Sequence, residues 1–133
     1  MLLNDLTLIE ARTVRTNFIQ NQEVKGSGQV TISYGSLNFE AGGVLTDDAS
    51  RSVIAVMATP SVSGQSDHLI GDAFVLQMDL KMVYTYPSTE TVTEDFLAEN
   101  TWYFVSYLKT YFKMYAEQVL SQTGINGVTL PLN

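Results

Sequence analysis

The chain has 133 residues, 45% of them hydrophobic and 16% charged, which is enough apolar material for one core and too little charge for a disordered polymer. Fourteen acidic residues against seven basic ones give a net charge of −7, which repels phosphate backbones and anionic lipid and sets nucleic acid and membrane surfaces aside as partners. Cysteine is absent, which removes disulfides and thiolate metal sites, and no apolar run reaches the ~18 residues of a membrane span.

No repeat, low-complexity tract or linker is visible, so residues 1–133 read as one domain. The opening Met1-Leu2-Leu3-Asn4-Asp5 lacks the basic and apolar regions of a secretory signal, which points to a soluble cytoplasmic protein.

In chain order, Leu6 to Ile19 is rich in β-branched and apolar residues. Its apolar phase switches from Leu6 and Leu8 to Ile9 and Ala11 and back to Val14 and Phe18, the pattern of a long strand with a bulge. Glu23 to Gly28 is a turn. Val30, Ile32 and Tyr34 then alternate, and beyond Gly35 the phase moves to Leu37 and Phe39, as a second long strand with a bend requires. Gly42 to Asp48 reads as a loop. Arg51 to Thr59 is an almost continuous apolar run and predicts a central third strand ended by Pro60, with Ser61 to Asp72 as a polar connection. Phe74, Leu76, Met78, Leu80, Met82 and Tyr84 alternate with Val75, Gln77, Asp79, Lys81, Val83 and Thr85, predicting a fourth strand with one dry face and one wet face.

Pro87 to Thr93 interrupts the pattern, and Glu94 to Asn100 predicts a short helical turn. Asn100 or Thr101 then caps a long helix that Gly124 ends. Strands followed by helix make the fold α+β: a four-stranded antiparallel sheet with a long C-terminal helix packed on one face.

That helix is greasier than one sheet needs. Phe104, Val105, Leu108, Tyr111, Phe112, Tyr115, Ala116 and Val119 form one stripe, and Tyr103, Tyr107 and Met114 widen it to an arc of roughly 220°, against the ~100° of an ordinary surface helix. Lys109, Thr110, Lys113 and Glu117 read as its wet side. Tyr103, Tyr107, Tyr111 and Met114 are therefore assigned to an interface between copies of the chain, because leaving such side chains in water forgoes about 1.5–3 kcal/mol each.

Polar constellations carry little chemistry. Asp67-His68 holds the one histidine in a polar loop without a nucleophile or further ligands. Gly26-Ser27-Gly28 and Gly42-Gly43 lack the Lys-Ser/Thr ending of a phosphate cradle, and Asp47-Asp48 and Glu94-Asp95 lack the oxygen ligands of a calcium loop. No enzyme and no cofactor is indicated. A ligand-binding or thioesterase-like hot-dog domain stands as a rival, although there the helix usually precedes most strands.

Methionine and tyrosine line surfaces that accept varied partners. Met57, Met78, Met82 and Met114 occur with Tyr84, Tyr86, Trp102, Tyr103 and Tyr107, and each weighs core against contact surface. Met78, Met82, Tyr84, Tyr86, Trp102 and Tyr103 are the candidate lining of a groove for extended polypeptide.

Four such strands, the helical run Tyr111-Phe112-Lys113-Met114-Tyr115-Ala116-Glu117, then Gly124 and Leu130-Pro131 resemble the SecB family of bacterial export chaperones. The proline and arginine that the family carries within the aromatic helix are missing here. The resemblance implies an ATP-independent holdase, a tetramer built as a dimer of dimers, and apolar grooves that hold unfolded or pre-export polypeptide. Members that hand cargo to the motor SecA continue into a further helix and tail, whereas this sequence stops at Asn133. In length it is more similar to SecB-like proteins of toxin–antitoxin or phage settings, and a dedicated adaptor for one protein partner is the alternative function.

Overall fold

The structure is a computed structural model, and it describes residues 1–23, 28–45, 47–67, 70–125 and 127–131. The Asp67-His68 pair and the Gly26-Ser27-Gly28 turn fall partly outside them.

A 3-10 turn at Leu3–Asp5 leads into strand β1 (Thr7–Gln20). Then come β2 (Gly28–Ser33), β3 (Asn38–Val44), β4 (Arg51–Ala58), β5 (Ser61–Ser66) and β6 (Asp72–Pro87), followed by helices α1 (Glu94–Glu99) and α2 (Thr101–Gln122). All described strand pairs are antiparallel. β6 is the hub. Along one edge it pairs with β1 over the whole length from Thr7↔Thr85 to Gln20↔Phe74; along the other it pairs with β4 from Arg51↔Pro87 and with β5 from Ser61↔Gln77.

Six strands thus make four rows, because β4 and β5 lie end to end, as do β2 and β3 beyond them. The two breaks sit side by side. Thr59-Pro60 interrupts one row, where the Pro60 carbonyl still accepts from the Met78 N–H at 3.0 Å. Gly35 interrupts the next at φ +68°, a left-handed conformation that glycine adopts without strain.

Ser61 to Ser66 is a strand, not the expected connection, and the reason is local. Only Val62 points apolar to the core, opposite Leu76, while Gly64 lies beneath the ring of Phe74, so the run looks polar although both its edges are paired. The bulging expected in the first strand occurs twice. The register skips at Leu8/Glu10 and at Thr13/Arg15, leaving Ile9 and Val14 without a partner residue, and both are about half exposed.

The helix-facing row of the sheet carries Phe74, Leu76, Met78, Leu80, Met82, Tyr84 and Tyr86 from β6, with Ile54, Val56 and Ala58 from β4 and Val62 from β5, all buried. The other face is wet at Gln77 and partly wet at Asp79 and Lys81, but Val83 and Thr85 are buried as well. The dry–wet alternation therefore fails at the last turn of β6. There the Arg51 guanidinium reaches the Thr85 hydroxyl at 3.1 Å and the Asp5 carbonyl at 3.4 Å, closing off that end.

Thr93 caps α1 by accepting from the Phe96 N–H at 3.1 Å. Asn100 stands at the start of α2, but its side chain turns back to donate to the Phe96 carbonyl at 2.8 Å and makes no cap bond for α2. Gly124, at φ +82°, terminates α2 as expected.

Candidate polypeptide-binding surface

How α2 is rotated decides which of its side chains can meet another molecule. Phe104, Leu108, Phe112, Ala116 and Leu120, four residues apart, form the buried line on the sheet. The opposite line, Trp102, Ser106, Thr110, Met114 and Gln118, is exposed. Lys109, Lys113 and Glu117 were expected on the wet side and are instead half-buried. Lys109 lies over the Tyr34 ring at 5.4 Å, and Lys113 and Glu117 bind the segment that follows the helix.

Between these two lines lie Tyr103, Tyr107, Tyr111 and Tyr115, all half-buried. The upper two belong to one aromatic cluster. Tyr84 is its centre, with ring centroids at 5.2 Å from Phe104, 5.8 Å from Tyr107 and 6.1 Å from Tyr103; Tyr103 continues to Tyr107 at 5.2 Å and to Trp102 at 6.1 Å. Burial, reinforced by the Tyr107 hydroxyl beside it, pushes the Tyr103 phenol up to about 12, and burial raises Tyr84 as well. Tyr111 stacks on Tyr115, whose hydroxyl donates to the Ala11 carbonyl at 2.9 Å and ties α2 to β1.

Of the six candidate groove residues, Tyr84, Trp102 and Tyr103 come together in this cluster. Met78, Met82, Tyr84 and Tyr86 are at most 4% exposed in the single chain, beneath α2, and the Tyr84 hydroxyl finds only the Met82 sulfur at 4.0 Å. Trp102, 62% exposed, and half-buried Tyr103 reach the surface. Of the four candidate interface residues, Met114 is the most open at 44%, with Tyr103, Tyr107 and Tyr111 along its flank. Met57 lies on the other face of the sheet, paired with Lys81, and is half-buried.

Sequence reasoning missed one feature altogether. Lys113 and Glu117 form a 2.7 Å ion pair within the helix, and both also bind the backbone of Leu130. The Lys–Glu spacing was visible, but nothing in it indicated a shared partner in the segment after the helix. The Lys113 hydrogen bond, followed by that of the Leu130 N–H, holds the Glu117 carboxyl below the usual glutamate range. A lowered value stabilises the contact above the unfolded-state pKa and loses it as pH falls through the folded one. Protection of the Leu130 amide from hydrogen exchange, corrected for intrinsic rate, is therefore expected to stay level above pH 4.5 and to decline below it. A flat profile through acid would show that Glu117 is not the acceptor.

No family model matches the sequence, and no curated protein matches it. Among solved structures, the chain is similar to the Mycobacterium tuberculosis Rv1957 SecB-like chaperone, in complex with a ChAD peptide from the Rv1956 HigA1 antitoxin. The TM-score is 0.70 at 19% identity, covering 96% of this chain and 90% of that one. The fold is SecB-like. At that identity the likeness establishes architecture alone, and it accounts for the α+β order of a curled antiparallel sheet followed by a long helix. Among the described residues, no helix of the SecB-like chain is long and apolar enough to cross a membrane.

Proposed function

We propose that this chain binds extended or unfolded polypeptide without hydrolysing nucleotide, as a holdase assembled from several copies. The observation that carries the proposal is the outward line of α2. Trp102 and Met114 stand exposed on a line otherwise made of Ser106, Thr110 and Gln118, and they border the flank of half-buried Tyr103, Tyr107 and Tyr111, an aromatic margin that a lone chain has little reason to keep in water. The SecB-like fold supports it, and so does the peptide held by the similar chaperone.

In this reading Met114, Tyr107 and Tyr111 face a second copy and Tyr103 sits at the margin. Trp102 and Tyr103 form the accessible part of the groove, whereas Met78, Met82, Tyr84 and Tyr86 are core residues that α2 of the same chain already covers and are set aside from it. The test is sizing by light scattering together with suppression of client aggregation at stoichiometric amounts. A well-behaved monomer that neither delays aggregation nor binds peptide would end the proposal.

Two substitutions separate the roles. Met114→Glu is expected to shift the assembly toward monomer at unchanged helix content, read by sedimentation. Trp102→Ala is expected to change stability by less than about 0.5 kcal/mol, because the side chain is mostly in water, and to weaken client binding severalfold in titration calorimetry. Unchanged affinity would remove Trp102 from the groove.

A second reading is favoured by one finding, namely that the peptide in the similar structure comes from an antitoxin. A dedicated adaptor would capture one stoichiometric partner in a pull-down, whereas a general holdase would return many unfolded chains.

A further inference from the structure

Beyond α2 the chain runs into an irregular segment, and two helix side chains converge on a single residue of it. The Lys113 Nζ donates to the Leu130 carbonyl at 2.7 Å, and the Leu130 N–H donates to the Glu117 Oε1 at 2.9 Å, the same oxygen that accepts from Lys113 at 2.7 Å. Both main-chain groups of Leu130 are thus read by groups indifferent to which residue carries them. Its side chain, meanwhile, is buried in the main core at 2% exposure. Backbone recognition combined with an apolar hollow is the chemistry by which proteins take extended peptides.

The segment is held by three apolar side chains, Ile125 and Leu130 in the core and half-buried Val128 against it. Ile125 and Leu130 are its buried anchors, while Gly127, Thr129 and Pro131 are exposed, and none of residues 127–131 belongs to the sheet. Gly124 and Gly127 carry positive φ of 82° and 81°, conformations that set the path of the chain across the helix.

We propose that Lys113, Glu117 and the hollow under Leu130 form a binding subsite for a leucine-bearing extended polypeptide. The chain's own segment 127–131 fills this subsite in cis, and an incoming polypeptide takes it by displacing that segment. The proposal rests on the polypeptide-binding reading and assigns it a second contact point, on the flank of α2 opposite the tyrosines and about three turns along the helix from Trp102. Only a short stretch separates Leu130 from the end of α2, so its effective concentration at the subsite is on the order of millimolar, and even a weak contact keeps the subsite occupied. A segment docked about nine tenths of the time weakens an external ligand's apparent affinity about tenfold.

The test uses a labelled peptide copying residues 127–131, Gly-Val-Thr-Leu-Pro, followed by fluorescence anisotropy. Leu130→Asp, which withdraws the resident side chain, is expected to bind the peptide about tenfold more tightly than the unaltered chain, and adding Lys113→Met is expected to abolish the gain. Independently of any variant, saturating the unaltered protein with a reduced, carboxymethylated client is expected to accelerate exchange at the Leu130 amide. Equal peptide affinity in both forms, or a bound client that leaves Leu130 protection unchanged, overturns the subsite while the polypeptide-binding reading survives. Peptide bound by Leu130→Asp when no client binds supports the subsite and counts against the holdase. Absence of both kinds of binding overturns both.

Discussion

Replacing Phe104 by alanine is expected to cost the fold about 3–5 kcal/mol, against the roughly 5–15 kcal/mol that holds a typical domain together. Phe104 is fully buried where helix and sheet meet, with edge-on rings at 5.1 Å in Phe39, 5.2 Å in Tyr84 and 5.3 Å in Tyr103. Truncation removes the transfer free energy of the ring and leaves a cavity that three rigid aromatic neighbours cannot collapse to fill. The measurement is urea denaturation, in which the midpoint should fall at unchanged slope. A loss below about 1 kcal/mol would mean that α2 does not seat on the sheet as described.

Gly64→Val is the second large effect, and it acts by crowding. A Cβ at Gly64 would fall on the ring carbons Cε1, Cδ1 and Cζ of Phe74, which is itself 2% exposed and held by Phe18 with centroids 6.2 Å apart. Unlike the tip of a surface side chain, this ring has nowhere to swing, so the expected cost is about 3 kcal/mol, toward the upper end for overpacking. The mechanism predicts a coupling. In a Phe74→Leu background the same valine should cost markedly less, and a double-mutant cycle in which the two costs simply add would refute the contact.

What the sequence disclosed follows from how local each signal is. The alternation from Phe74 to Lys81 and the doubled phase shift between Leu6 and Phe18 are properties of neighbouring residues, and both survive in the structure as β6 and the bulged β1. Ser61 to Ser66 concealed a strand because its strength comes from partners on both edges rather than from its own side chains.

The existence and end of α2 were legible, but its rotation was not. Lys109 and Lys113 look wet in a helical projection, although long aliphatic stems let them cover Tyr34 and reach Leu130 while their charges stay paired or near solvent. The groove residues show the same limit. Alternation placed Met78, Met82, Tyr84 and Tyr86 on a dry face, yet dryness alone does not say whether a helix of the same chain or another molecule supplies the cover.

The pairing of β1 with β6 has a consequence for how the chain matures. Thr7 meets Thr85 and Gln20 meets Phe74, so β1 has no edge to join until the last strand of the sheet begins to form. During synthesis β1 therefore stays unpaired until Phe74 and the residues after it emerge, and closing so long a loop is expected to be slow. Pulse-labelled refolding should accordingly show amides of β1 becoming protected after those of the β3–β4 hairpin.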